Sequence, residues 1–133
     1  MALRLERAYV DEMIAHAKAD VPNECCGIIA GVDGRATKLY RAINAEASPY
    51  RYSVDPKDLL RIHKVVDANG WDFLVIYHSH THTEAYPSPT DIRLAAWPEA
   101  YYALVSLMDD NDPVVRAFRI VDGTVSEEDL IVV

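Results

Sequence analysis

The sequence predicts one mixed α/β domain over residues 1–133, with a sheet of parallel and antiparallel strands flanked by helices. Three observations carry this prediction. The chain has 133 residues, 50% of them hydrophobic, enough to close a single core. Segments with apolar residues at helical spacing alternate with short apolar runs of strand character. Turn pairs containing glycine join some of those runs directly, which an all-parallel sheet does not allow.

Residues 5–20 place Tyr9, Val10, Met13, Ile14 and Ala17 at helical spacing, and Val21-Pro22-Asn23 ends that helix. Cys26-Gly27-Ile28-Ile29-Ala30-Gly31 reads as a strand, turned at Asp33-Gly34 toward a second strand over 37–43. Residues 44–52 read as a loop. Asp55-Pro56 starts a helix, with Asp as its cap and Pro in the first turn. Leu59, Ile62 and Val66 form its apolar stripe, and Asn69-Gly70 ends it. Phe73-Leu74-Val75-Ile76-Tyr77 reads as a buried strand that runs into a histidine cluster. A Pro-containing loop and a helix over 89–96 follow. The last strands fall around 101–106, 114–121 and 130–133, with Asp122-Gly123 as a hairpin turn.

The bulk numbers narrow the function classes. A net charge of -8 argues against nucleic acid as a main partner, because phosphate binding needs a basic surface. No stretch reaches the roughly 18 apolar residues of a membrane span. The start, Met1-Ala2-Leu3-Arg4-Leu5-Glu6-Arg7, lacks the apolar segment of a signal peptide, so the expected location is cytoplasmic. Cys25 and Cys26 are the only cysteines, and neighbours in sequence rarely reach disulfide geometry. They read as small buried strand residues in a reducing compartment, not as a redox pair.

Three of the five histidines fall within Tyr77-His78-Ser79-His80-Thr81-His82. Side chains on a strand alternate faces, so His78 and His80 point the same way. Two adjacent imidazoles at a strand end are a common start to a divalent metal site, which outweighs the plain reading of polar residues where a strand emerges. Downstream lies Ser88-Pro89-Thr90-Asp91. Alone it is a helix-capping box, with Ser88 as cap, Pro89 in the first position and Asp91 in the first turn. Beside the histidines, Asp91 becomes a rigidly held third ligand. Two His and one Asp leave an open position on tetrahedral zinc, as catalytic sites do. Ser88 could donate to a developing oxyanion. A hydrolase also needs a base. Glu24, where the turn Pro22-Asn23-Glu24 enters an apolar strand, is preferred, although spacing alone leaves it an exposed turn residue. Glu84 is the rival, in what reads as an exposed loop. His82 reads as lining the cleft or facing solvent. His16 and His63 read as helix-surface or satisfied core residues.

Glu24, then His78-x-His80, seven residues, and Ser88-x-x-Asp91 resemble the JAMM motif of the MPN-plus metallopeptidases. Glu24-Cys25-Cys26-Gly27 is similar to that family's glutamate entering its first strand ahead of a glycine. The resemblance runs over most of the chain and implies an MPN/JAB1-type curved mixed β-sheet flanked by helices. It also implies His78, His80 and Asp91 as Zn2+ ligands, Glu24 as general acid–base and Ser88 as oxyanion stabiliser. The stretch 77–91 and the ending Arg119-Ile120-Val121-Asp122-Gly123 look most like a small actinobacterial branch called Mec. Members of that branch release cysteine from the C-terminus of a ubiquitin-like sulfur-carrier protein, CysO, in cysteine biosynthesis. By that likeness the expected partner is a CysO-like carrier, cleaved after its C-terminal Gly-Gly. Two alternatives stand beside it: trimming of a longer extension to expose Gly-Gly, and a non-catalytic MPN scaffold. Oligomeric state, including a homodimer, is left open. One departure is visible: Thr81 stands where many members carry Pro, and His82 is unusual.

Other folds use His-x-His. Cupins follow it with Glu, as His80-x-x-x-Glu84 does, but they are nearly all-β barrels, which the two helical patterns oppose. Amidohydrolase barrels need about 250 residues. Metallo-β-lactamase-like folds need more histidines downstream, and none follows His82.

Overall fold

A computed structural model describes residues 2–133. In chain order its elements are β1 (Ala2–Leu5), α1 (Arg7–Asp20), β2 (Cys26–Val32), β3 (Arg35–Ala42), α2 (Pro56–Ala68), β4 (Asp72–His80), α3 (Pro89–Leu94), β5 (Tyr101–Ser106), β6 (Val114–Val121) and β7 (Thr124–Val132). The strands form one sheet in the order β1-β7-β6-β5-β4-β2-β3. The pairs β1/β7 and β4/β5 are parallel and the rest antiparallel, so the sheet is mixed, as expected.

Local chemistry explains the turns. Asp33 and Gly34 both have positive φ (53° and 75°), and so do Asp122 and Gly123 (49° and 78°). Two successive positive φ values make the turn whose twist matches a hairpin, and Asp-Gly pairs adopt it readily. The β4/β5 pair is parallel, so its connection must cross over. That crossover carries the proline loop and α3.

The sheet buries two faces. On one, α1 packs Val10, Met13 and Ala17 against Leu3, Leu5, Ile29, Val75, Tyr77 and Ala103. On the other, α2 packs Ile62 and Val66 over Cys26, Ile28 and Ala30, and a smaller cluster gathers Ile76 and Tyr102 near Ile92 of α3. Alternation therefore sends Tyr77 to the α1 face and His78 to the other. Gly27 pairs with Tyr77 across the β2/β4 ladder, and a Cβ at Gly27 would overlap the tyrosine ring. Glycine at this point lets the ring lie flat across the neighbouring strand.

Three expected boundaries are corrected. The helix begins at Arg7, not Leu5, because Ala2–Leu5 forms β1, with Leu3 and Leu5 buried. Its partner is β7, more than a hundred residues away, and four residues of local pattern cannot reveal such a pairing. Strand β7 starts at Thr124, not 130, because Thr124-Val125-Ser126-Glu127-Glu128 form a ladder against β6 despite their mostly polar character. Helix α3 is also shorter than expected, ending at Leu94. No helix among the described residues is long and apolar enough to cross a membrane.

Candidate active site

The site lies where β4 ends, beside the end of β5 and the entry to β2. His78 and His80 are the last inward-facing residues of β4, and both are buried. In the ladder, Cys26 pairs with His78, and Glu24, two residues before β2, lies close enough to His80 and Asp91 for both to act on its charge. Ser79 N–H donates to the Cys25 carbonyl (3.2 Å), and Cys25 N–H donates to Ser79 Oγ (2.8 Å), which ties the two strand ends together.

Asp91 arrives from α3. Ser88 Oγ accepts from Asp91 N–H (3.0 Å), and Asp91 Oδ2 accepts from Ser88 N–H (2.9 Å), a complete capping box. The same Oδ2 lies 3.1 Å from His78 Nε2 and 3.0 Å from His80 Nε2, and the two imidazole nitrogens are 3.3 Å apart. The three residues form a group able to hold a metal ion, with one ligand atom from each all within 4.8 Å of one another.

The donor set fits a cation on chemical grounds. His80 Nδ1 lies 2.9 Å from the Glu84 carbonyl, which can only accept, so Nδ1 carries a hydrogen. Neutral His80 therefore turns a lone pair at Nε2 toward a carboxylate oxygen. A proton relieves that repulsion in the metal-free protein. Burial opposes charge on His80, but its bonds to Asp91 and to the Glu84 carbonyl win and raise its pKa. Asp91 is likewise held well below the usual carboxylate range, since its bonds from His78 and His80 overcome the opposing effect of burial. Burial lowers the pKa of His78, keeping it neutral. Two imidazole nitrogens and a carboxylate oxygen that converge on one point suit a divalent ion, whose uptake would displace the hydrogens between them.

Glu24 is 4% exposed, and its Oε1 has no hydrogen-bond partner among the described residues. Burial raises its pKa to about 8; His80 works against that shift and Asp91 adds to it. Its backbone is fixed on both sides: Glu24 N–H donates to the Ser48 carbonyl (2.9 Å) and Asn44 Nδ2 donates to the Glu24 carbonyl (3.1 Å). Glu24 is thus buried, and not the exposed turn residue that spacing alone leaves it. Glu84 is exposed, and its contact with the site is its backbone carbonyl. Ser88 is half-buried beside Asp91, with its hydroxyl hydrogen still free to donate after accepting from Asp91.

The other histidines fall elsewhere. Strand β4 stops at His80, and His82 is exposed, its Nδ1 2.8 Å from Thr81 Oγ1. His16 is buried against the Tyr77 hydroxyl (2.7 Å), and His63 is an exposed residue of α2 lying edge-on to Phe73. Cys25 and Cys26 are buried and free, and burial pushes both thiols up to about 12. Sequence reasoning missed Tyr52, whose ring stacks on His78 with centroids 4.2 Å apart, and Asn44; both lay in a segment read only as a loop. Asn44 followed by Ser, Pro and Asp residues was the available signal of an ordered turn.

Residues 6–121 match the family model described as prokaryotic homologs of the JAB domain. The chain is 45% identical over 126 residues to CysO-cysteine peptidase of Mycobacterium tuberculosis, covering 93% of this chain and 86% of that protein. Its fold is similar to the solution structure of a protein from Desulfitobacterium hafniense, with a TM-score of 0.86, 36% identity, and 98% and 92% of the two chains covered. It is similar also to a JAB1/MPN domain protein from Archaeoglobus fulgidus, with a TM-score of 0.60, 17% identity, and 98% and 99% covered. On the family match and the likeness to the mycobacterial peptidase, this chain belongs to the prokaryotic JAB family and is a peptidase of the JAMM type.

Proposed function

We propose that this chain is a zinc peptidase that hydrolyses the amide bond after the C-terminal Gly-Gly of a ubiquitin-like sulfur-carrier protein, releasing cysteine. The observation that carries the chemistry is a buried carboxylate with an unpartnered oxygen, Glu24, beside a convergent His78–His80–Asp91 group. The likeness to CysO-cysteine peptidase supports the substrate class.

In this reading His78, His80 and Asp91 hold the ion. When bound, zinc supplies Lewis-acid polarisation of water and of the scissile carbonyl, worth several kcal/mol of charge stabilisation. Glu24 takes the proton of the attacking water and later returns it to the leaving amine. Burial raises the Glu24 pKa above the ordinary carboxylate value in the metal-free protein, and a desolvated carboxylate is a stronger base than a solvated one. The Ser88 hydroxyl donates to the oxygen that becomes negative, and the capping box fixes where that hydroxyl sits. Asp91, already accepting from Ser88 N–H, is held in place before any ligand arrives, so little ordering is left for the moment of binding.

Purified protein incubated with carrier–cysteine and carrier–dipeptide conjugates, with and without zinc and read by mass spectrometry, tests the proposal. Expected is zinc-dependent appearance of carrier ending in Gly-Gly together with free cysteine. Cleavage of only the longer conjugate would sink the cysteine-release reading.

A further inference from the structure

The loop between β3 and α2 reaches three separate parts of the site. Through Asn44 and Ser48 it holds both backbone groups of Glu24. Its Tyr52 ring covers His78, with planes 19° apart. Its Pro49 carbonyl accepts from Thr81 Oγ1 (3.2 Å), one residue past His80. We propose that this loop is the positioning element of the metal centre, with Tyr52 orienting His78 and Asn44 setting the loop's shape. The proposal rests on the reading of His78 as a metal ligand.

A metal-binding imidazole is usually oriented by a hydrogen bond from its second nitrogen. His80 has one, to the Glu84 carbonyl. His78 does not: its Nδ1 is buried without a hydrogen-bond partner among the described residues. The stacked ring of Tyr52 takes over that task. Face-to-face contact fixes the imidazole plane and uses neither nitrogen, so Nε2 stays aimed at Asp91 Oδ2.

Asn44 in turn fixes Tyr52 by gripping the residues on either side of it. Its Nδ2 donates to the Arg51 carbonyl (3.0 Å), and its Oδ1 accepts from Ser53 N–H (3.1 Å). The same amide donates to the Glu24 carbonyl and accepts from Glu46 N–H (3.0 Å). Two donors and two acceptors are all that a primary amide offers, and Asn44 uses each. One buried side chain therefore sets the spacing between Glu24 and the ring that aims His78. Thr81 fastens the loop to the histidine strand through its hydroxyl, which a proline there would lack.

Zinc affinity of the full chain, measured by competition with a chromogenic chelator, tests this. The variants are Tyr52→Phe, Tyr52→Leu, Asn44→Asp and Thr81→Val, each checked for folding by thermal unfolding of the metal-free protein. Tyr52→Phe keeps the stacked ring and should bind within about 2-fold of wild type, while Tyr52→Leu should lose about 10-fold or more. Asn44→Asp, which discards both donors, should also lose about 10-fold. Thr81→Val, nearly isosteric, should show a smaller loss and serves if Asn44→Asp does not fold. Wild-type affinity in Tyr52→Leu, or equal losses in Tyr52→Phe and Tyr52→Leu, would overturn the positioning role. Failure of the wild-type protein to take up zinc would overturn the reading of the site beneath it.

Discussion

Strands β2 and β4 build two faces from alternate residues, and the faces treat buried polar groups in opposite ways. On the α1 face, buried His16 reaches the Tyr77 hydroxyl (2.7 Å) and Asp20 (3.4 Å), so both its ring nitrogens have partners. On the opposite face, Glu24 Oε1 and His78 Nδ1 are buried without hydrogen-bond partners, and three lone-pair atoms crowd around one another. The other two unpartnered polar atoms among the described residues, Thr37 Oγ1 and the Tyr40 hydroxyl, belong to the edge strand β3. The same backbone supports both faces, so the contrast does not come from strand geometry. A buried polar group costs free energy unless it is paired. A fold that completes its pairs on one face and leaves them open on the other marks the second face as the place where a ligand finishes the job.

The largest effect that can break this contrast concerns Glu24. Glu24→Gln should lower turnover by about 10^3-fold while zinc content, read by elemental analysis, stays at the wild-type level. A variant that cleaves at near wild-type rate would remove Glu24 from the reaction and hand its task to another group.

The next effect is on stability. The Glu24 pKa is raised by burial to about 8 in the folded metal-free protein, against an ordinary 4.5. Between those values the folded state holds a proton that the unfolded chain releases, so stability falls as pH rises through that window. Urea unfolding of metal-free wild type and Glu24→Gln should show the wild type losing about 4 kcal/mol relative to the variant between pH 4.5 and 8. Parallel curves would mean that the carboxyl is better solvated than its burial indicates.

Ligand linkage comes third. At zinc about 100-fold above its dissociation constant, the wild type should gain about 2.7 kcal/mol, visible as a raised Tm. His78→Ala and Asp91→Ala should lose that increment. A retained increment would place the ion elsewhere.

The smallest effect belongs to the completed face. Tyr77→Phe strips His16 Nδ1 of its partner and should cost about 1–2 kcal/mol without changing zinc affinity. A change in affinity would show that the two faces are coupled and not independent.

Much of this contrast was readable in advance, and the reason is locality. His78 and His80 share a face because strand side chains alternate, a rule that needs only three consecutive residues. Asp91 and Ser88 announced themselves through a capping box four residues long. The Asp33-Gly34 and Asp122-Gly123 hairpins follow from two residues each. What escaped was non-local. Strand β1 exists because β7 receives it, and Glu24 is buried because β2 pairs with β4 in a register that the sequence does not display. Asn44 looked like an ordinary loop polar residue because its four partners come from four separate positions, each unremarkable by itself.

Asp91 Oδ2 closes the first turn of α3 through Ser88 N–H and also stands at the meeting point of His78 and His80. Helix initiation and site chemistry thus draw on the lone pairs of one oxygen. Charge placed among the histidines weakens or strengthens the acceptor that starts the helix, and fraying of that turn swings the carboxylate away from the imidazoles. The amide hydrogen of Ser88 is therefore a built-in gauge: its exchange with solvent should slow or quicken as the occupant of the site changes, reporting occupancy from the backbone without any reaction being run.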